Sequence, residues 1–341
     1  MNKYKYQEIA ADEVLKNAMS GEYRASVLAG CPSSGKSTIL IHILNKYFKT
    51  NNDQVIVITH NQNILKQQML ENFSNPNVPV SFGFGIHKEA QVIVTTAASS
   101  KKYDLSNVGL IVVDEAHEYY LESMYNSFKS NTKAKEILLT GSPSFFNTFN
   151  QTTKEKKYGI HYIAGSDLIE QGVFAGVDLY SFLSDTKTTE SLVNSVFEFA
   201  KKNGCDLRKP MVAASNIHEA QALKYWLTKR GYKVALSTSE NDNDNKEIEL
   251  FKKDERDCLI VVNKGILGFS EGSITALIDF KVSDDIDVRN QLFARILRNH
   301  KEDIRKSYIS VCSSMKKHRE DSKMLKELLK LMDKKYFSSY N

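Results

Sequence analysis

The chain reads as an α/β protein built from two parallel-sheet domains, and three observations lead there. Short aliphatic and β-branched runs alternate with longer stretches of helical spacing from Ser26 to Cys312. That alternation is the pattern of strand–helix–strand units, whose central strands are buried on both faces and so read as continuous apolar runs. The length of 341 residues corresponds to about two domains at roughly 100 to 200 residues each. The balance of 41% apolar to 26% charged residues is that of an ordinary globular protein, and 5 prolines with 16 glycines argue against a collagenous or long disordered chain.

The elements follow in order. Strands are predicted over Ser26–Ala29, Val55–Ile58, Val92–Thr95, Leu110–Val113 and Ile137–Thr140, with helices over Ser37–Phe48 and Ile64–Phe73 between them. A second series comprises Met211–Ala214, Val234–Ser237, Cys258–Val262, Ala276–Phe280 and Tyr308–Cys312, with helices over His218–Arg230 and Lys246–Phe251. Gly172, Gly176 and the polar run from Asp185 to Thr189 interrupt the pattern, so the expected domains are residues 1–180 and 181–341. The polar segment Ser237–Lys246 has the composition of an exposed loop. Met324, Leu325, Leu328, Leu331 and Met332 among lysines spell an amphipathic helix expected to pack on its own domain.

Charge and cysteines narrow the setting. The net charge is +5, and residues 299–341 hold the whole excess, with 11 Lys and Arg against 6 Asp and Glu. Such a bias fits contact with a phosphate backbone, and it fits a solvated helix face as well. Cys31, Cys205, Cys258 and Cys312 lie far apart without a C-x-x-C pair, which speaks for reduced thiols over a zinc site or disulfide framework. No apolar run approaches the ~20 residues of a membrane span, and the start shows no signal-peptide pattern. The expectation is a cytoplasmic protein without a membrane partner.

The most specific motif is Gly30-Cys31-Pro32-Ser33-Ser34-Gly35-Lys36-Ser37, a complete G-x-x-x-x-G-K-[ST] pattern followed by Thr38. It follows a predicted strand and precedes a predicted helix, the context that a phosphate-binding loop requires. The glycines let backbone N–H groups turn toward phosphate oxygens, and the helix N-terminus adds a positive dipole end. Lys36 is placed for the β/γ-phosphates and the Ser37 hydroxyl for Mg²⁺, so ATP with Mg²⁺ is the implied cofactor. Further on, Leu110-Ile111-Val112-Val113 runs straight into Asp114-Glu115-Ala116-His117. Acids directly after a buried parallel strand emerge at the ligand-binding edge of the sheet. Asp114 suits the metal, Glu115 suits a water-activating base, and His117 suits coupling to the second domain.

With both elements present, the chain resembles the superfamily 2 helicases and translocases. Asp114-Glu115-Ala116-His117 is the D-E-A-H form of their motif II, and Tyr6-Gln7 resembles the upstream glutamine that reads adenine. Leu139-Thr140-Gly141-Ser142-Pro143 resembles motif III, and the segment from Gln291 through Arg295 to Arg298 resembles motif VI, whose arginines reach the γ-phosphate. Two arginines three residues apart would share one helix face. The resemblance runs closest to phage UvsW-like helicases and type III restriction (Res) cores. The segment with Gln62 and Asn63 is similar to motif Ia, Thr96 and Ser99 to motif Ib, and Gly268-Phe269-Ser270 to a nucleotide-side segment of the second domain. Thr96 and Ser99 serve equally as helix caps. Ala294 stands for the motif VI glycine, Asn63 and Asn263 for threonines, and Ser270 for an aspartate.

What the resemblance implies is two tandem RecA-like parallel-sheet domains with an interdomain ATP cleft, forming a nearly bare DEAH-type motor. The nucleotide site would comprise Gln7, Gly30, Ser33, Ser34, Gly35, Lys36, Ser37, Thr38 and Gly268, with Ser37 and Asp114 on Mg²⁺. Catalysis would rest on Lys36, Asp114, Glu115, His117, Gln291, Arg295 and Arg298. Gln62, Asn63, Thr96, Ser99, Asn216 and Asn263 would meet nucleic acid. Single-stranded or branched DNA is the expected partner, with RNA as the alternative substrate and a nucleotide-driven remodeller of protein partners as the alternative activity. A monomer in a bacterial or phage-infected cytoplasm, serving a replication or recombination factor, completes the expectation.

Overall fold

The computed structural model describes residues 4–59, 73, 77–82, 90–100, 103, 105–119, 133–141, 158–186, 188–242, 245–262, 271–299 and 305–333. The chain divides into two compact units, one ending at Gly165 and one beginning at Ser166.

In the first unit the described strands are β1 (Ser26–Gly30), β2 (Gln54–Ile58), β3 (Val80–Phe82), β4 (Val92–Thr95), β5 (Val108–Val113), β6 (Lys135–Thr140) and β7 (Gly159–Ile163). They form one sheet in the order β3-β4-β2-β5-β6-β1-β7, and every pairing is parallel. The helices are α1 (Lys5–Ser20), α2 (Lys36–Tyr47), α3 (Ala97–Ser100) and α4 (Ala116–Tyr119). β1 and β4 are buried at every position, as strands covered on both faces must be. Val27, Ile56, Ile58, Ile93, Ile111, Val113 and Leu138 build one core face from neighbouring strands. Opposite β2, the register of β5 skips Gly109, where a side chain would collide with the Tyr47 hydroxyl and Asp53. Only glycine tolerates that approach.

The second unit holds α5 (Gly165–Glu170, starting at the junction), β8 (Val177–Leu183), α6 (Thr189–Lys202), β9 (Pro210–Ala213), α7 (Ile217–Lys229) and β10 (Val234–Ser237). It continues through α8 (Lys246–Lys252), β11 (Cys258–Val261), β12 (Ala276–Asp279), α9 (Ile286–Leu297), β13 (Lys306–Cys312) and α10 (Met315–Leu331). Its sheet runs β10-β11-β9-β12-β13-β8, again parallel throughout. Side chains start its longer helices: Thr188 accepts from Ser191 N, Asn216 from Glu219 N, Asp285 from Asp287 N, and Ser314 from Lys317 N. A separate core of Val193, Val212, Leu223, Leu236, Ile260 and Ile278 fills this unit.

All ten predicted strands are present within a residue or two of their expected limits, and both sheets are parallel. The expected boundary at 180/181 needs correction, because it cuts β8 in half. That strand pairs with β13 over seven positions from Val177 to Leu183 and so belongs wholly to the second unit. The tail helix packs as expected, with Leu325, Leu328 and Leu331 buried. The segment after β10 is less exposed than its composition implies: Thr238 and Asp242 are buried, and Asn241 accepts from the Thr238 hydroxyl and amide. The expected helix over 64–73 lies outside the described residues except for Phe73.

Candidate functional site

In the first sheet β1, β6 and β5 are neighbours, so their C-terminal ends stand side by side. Parallel order makes that edge the place where loops from different parts of the chain converge. The phosphate loop leaves β1 at Gly30 and turns over Cys31–Ser34, where Ser34 N donates to Cys31 O at 3.1 Å. Ser33 (φ 68°) and Gly35 (φ 83°) are left-handed, and α2 starts directly after, at Lys36. Left-handed residues set among ordinary turn residues gather successive N–H groups into an anion-binding concavity. A side chain on Gly30 would press on Ser34 Oγ at 2.8 Å, so the loop folds back against its own start. Burial pushes the Cys31 thiol up to about 12, which leaves it a packing group.

Helix α1 supports the loop from behind. The Tyr6 hydroxyl donates to Ser34 O at 2.8 Å, and Gln7 Nε2 donates to the Tyr6 oxygen at 3.3 Å. Gln7 is buried and reaches within 2.5 Å of where a side chain on Gly35 would begin. The glutamine named from sequence therefore stands against the phosphate loop itself, and Tyr6 is the residue that ties the two together.

Asp114 extends the β2–β5 ladder by one residue, its amide donating to Ile58 O at 2.8 Å. This aligns the next residue of β2's strand path, Thr59, whose hydroxyl donates to Asp114 Oδ2 at 3.2 Å. Glu115 N donates to the other carboxylate oxygen at 3.1 Å, and Glu115 itself is held at φ 48°, an unusual conformation for a residue with a side chain. His117 Nδ1 lies 3.1 Å from Thr140 Oγ1 and 3.5 Å from Glu115 Oε2, so it joins the end of β5 to the end of β6. Lys36 is buried, and a side chain on Gly141 would begin 3.0 Å from its Nζ. Motif III thus contributes a gap that the lysine occupies.

The electrostatics fit a bound nucleotide and metal. Burial, and then the charge of Glu115, raise the Asp114 carboxyl to about 6, while Lys36 and the Thr59 hydrogen bond pull the other way. A carboxylate held at that disadvantage is relieved by a divalent cation. Ser34 Oγ is buried without a hydrogen-bond partner, which suits a ligand oxygen. Ser37 stands in the first turn of α2. Among the described residues no three His, Cys, Asp or Glu groups converge as a metal cage.

In the second unit Gln291 is half-buried on α9, and Arg295 is 8% exposed. The expectation of a shared helix face for Arg295 and Arg298 is corrected: α9 ends at Leu297, and Arg298 is extended at φ −59°, ψ 129° with an exposed side chain. Ala294, standing for the family's glycine, is fully buried in the core. Asn216 is spent as the cap of α7, accepting from Glu219 N at 2.8 Å, while Glu219 accepts from Ser215 N at 2.6 Å. Thr96 O accepts from Ser99 N and Ser100 N at the start of α3, and Ser99 is buried. Asn216 is a side-chain cap, whereas Thr96 starts α3 through its backbone carbonyl and Ser99 lies within that helix. Gln62, Asn63, Asn263, Gly268 and Ser270 lie outside the described residues. Thr59 is the site residue that the sequence does not mark, its one signal being a polar residue directly after a buried strand; Tyr6, named with Gln7, proves to be the one that bonds the loop.

Fold and site together define a P-loop nucleotide-binding protein with a second parallel α/β unit. Residues 1–145 match the family of the type III restriction enzyme, res subunit. IRC3 of Saccharomyces cerevisiae, whose name assigns it to the ATP-dependent helicases, is 24% identical over 255 residues. The match takes in 68% of this chain and 36% of the relative, so the chain spans about a third of that protein's length. Among solved structures, a fragment named for the HsdR subunit of a type I restriction enzyme from Vibrio vulnificus YJ016 superposes with a TM-score of 0.71 at 16% identity, covering 91% of this chain and 64% of that one. Dbp5 of S. cerevisiae bound to RNA and ADP BeF3 gives 0.61 at 12% identity, over 97% of this chain and 91% of its own. The Hef helicase domain of Pyrococcus furiosus gives 0.59 at 13%, over 94% and 97%. The structural likeness is one of fold, tandem RecA-like domains. The sequence matches tie residues 1–145 to the Res family and relate the chain, at 24% identity, to a protein named as a helicase. Among the described residues no helix is long and apolar enough to cross a membrane.

Proposed function

We propose that the chain is a nucleic-acid-stimulated ATPase, a helicase or translocase that couples ATP hydrolysis to movement on DNA or to its unwinding. The observation that carries this reading is the meeting of Lys36, Asp114, Glu115 and Gly141 at the adjoining ends of β1, β5 and β6. Relatives named as helicases favour the same activity. Lys36 would hold the β/γ-phosphates, Gln7 and Tyr6 brace the phosphate loop from α1, and Ser37 and Asp114 would hold Mg²⁺. The metal, when bound, neutralises charge on the phosphate oxygens. Glu115 orients the attacking water and takes its proton, with His117 and Thr140 tying that carboxylate to motif III. Arg298, exposed on the second unit, is assigned to the transferring γ-phosphoryl, with Arg295 and Gln291 as further candidates on the same segment. Non-specific phosphate contacts supply most of the affinity for nucleic acid, so binding weakens with salt. Tight and loose grip must alternate between the ATP and ADP states for movement to follow.

ATP turnover measured alone and with single-stranded, duplex and branched DNA and with RNA tests the reading. Stimulation is expected to be largest with DNA. Greater stimulation by RNA makes the chain an RNA motor, and turnover indifferent to every polynucleotide makes it a remodeller of protein partners. Lys36→Ala should remove most turnover. Glu115→Gln should still bind ATP and hydrolyse it about 10²–10⁴-fold more slowly.

A further inference from the structure

We infer that Lys306 is a positioning residue for Arg298: its buried ammonium grips the Arg298 carbonyl and so fixes the direction in which the guanidinium leaves the second unit. The inference rests on the role assigned to Arg298 above and adds the residue that sets it. Lys306 opens β13 and is 2% exposed. Its Nζ donates to Arg298 O at 2.6 Å and to Gly272 O at 2.7 Å. Its own backbone is anchored, with Lys306 N donating to Gly176 O at 2.9 Å. The ammonium therefore sits on a rigid strand and reaches to the first residue beyond α9.

The chain around Arg298 is held from the other side as well. Phe174 and Arg298 form an antiparallel bridge. Ala175 N donates to Leu297 O at 2.7 Å, and Asn299 N donates to Val173 O at 3.1 Å. Both peptide groups flanking the arginine are thereby bonded, and its carbonyl is bonded to Lys306, while its side chain is exposed.

A lysine is a costly way to fill a buried position. Taking an ammonium out of water is unfavourable unless its protons find acceptors, and an aliphatic residue would fill similar space without that cost. Burial lowers the Lys306 pKa to about 8, with Glu271 acting in the opposite direction. Helix ends more commonly stop on a left-handed glycine, which would turn the chain elsewhere. Here the helix stops on an arginine in extended backbone, a geometry that leaves its carbonyl in need of a donor. Lys306 provides that donor. As a mere cap it would contribute to stability alone; as a positioning residue it also governs turnover, through Arg298.

A double-mutant cycle on the full chain separates the two. Lys306→Met, Arg298→Ala and the double variant are assayed for polynucleotide-stimulated kcat, KM for ATP and nucleic-acid affinity, well below each protein's melting temperature. Lys306→Met is expected to lower kcat about tenfold with little change in either affinity, and to have no further effect once Arg298 is alanine. Lys306→Gln, which keeps a polar group in the buried position, runs through the same cycle should the methionine variant fail to fold. Losses that multiply in the double variant, or normal kcat with reduced melting temperature only, overturn the inference and leave Lys306 a cap. If Arg298→Ala alone leaves turnover intact, the assignment of Arg298 fails first, and that single variant reveals it.

Discussion

At the end of β5 a carboxylate sits beside a second carboxylate, and the surroundings make its charged form costlier than usual. Asp114 is raised to about 6 by burial and by Glu115. For an acid, a raised pKa means that the proton is retained to higher pH, so protons and Mg²⁺ compete for the same oxygens below about 6. Mg²⁺-dependent binding of a non-hydrolysable ATP analogue should be nearly flat above about pH 7 and weaken toward about tenfold per unit below about 6. Asp114→Asn should flatten the profile; a wild-type profile already flat across that range would remove Asp114 from the metal. This part of the site was legible because its chemistry uses consecutive residues, Gly35-Lys36-Ser37 and Asp114-Glu115. Thr59 with Asp114 and His117 with Thr140 were not, because strand order brings them together across 55 and 23 residues. No local pattern marks such a pair.

Elements show the same division between local and non-local information. The three strands absent from the prediction, β3, β7 and β8, are edge strands of their sheets. β7 is buried only at its two ends and β8 at no position, so neither carries the continuous apolar run of a central strand. β10, the remaining edge, is buried throughout and was read correctly. β8 has no apolar run to mark it, so the polar and glycine signals around it resemble a domain join. The end of α9 was likewise invisible: R-x-x-R spacing describes a helix face only while the helix continues, and Lys306 and Phe174 hold Arg298 in extended chain instead. Capping offers a direct test at this scale. Asn216→Ala should cost the second unit about 1 kcal/mol in denaturant unfolding through loss of the α7 cap. Nucleic-acid affinity should stay unchanged, and a large loss of affinity in a protein of normal stability would make Asn216 a contact after all.

Across the whole molecule, two sheets with two separate cores follow one another; Lys36, Ser37 and Asp114, assigned to phosphate and metal, lie in the first, and Arg298, assigned to the γ-phosphoryl during transfer, lies in the second. The tandem arrangement was readable because both halves repeat the alternation of buried strand and helix, although no clear identity links them. Its consequence is calorimetric. Each unit has its own core, so two unfolding transitions are expected, and a ligand held chiefly by one raises chiefly that one's by mass action. At about 100 times its Kd a ligand adds ~2.7 kcal/mol, and for a unit of roughly 150–250 residues ~1 kcal/mol moves the midpoint by about 2–4 °C. A non-hydrolysable ATP analogue with Mg²⁺ should therefore lift the first unit's heat-absorption peak by about 5–10 °C and the second's by less. Both peaks shifting equally in the absence of nucleic acid would contradict the assignment. Heat then reports which half of the chain has taken up nucleotide, in a protein without a single substitution.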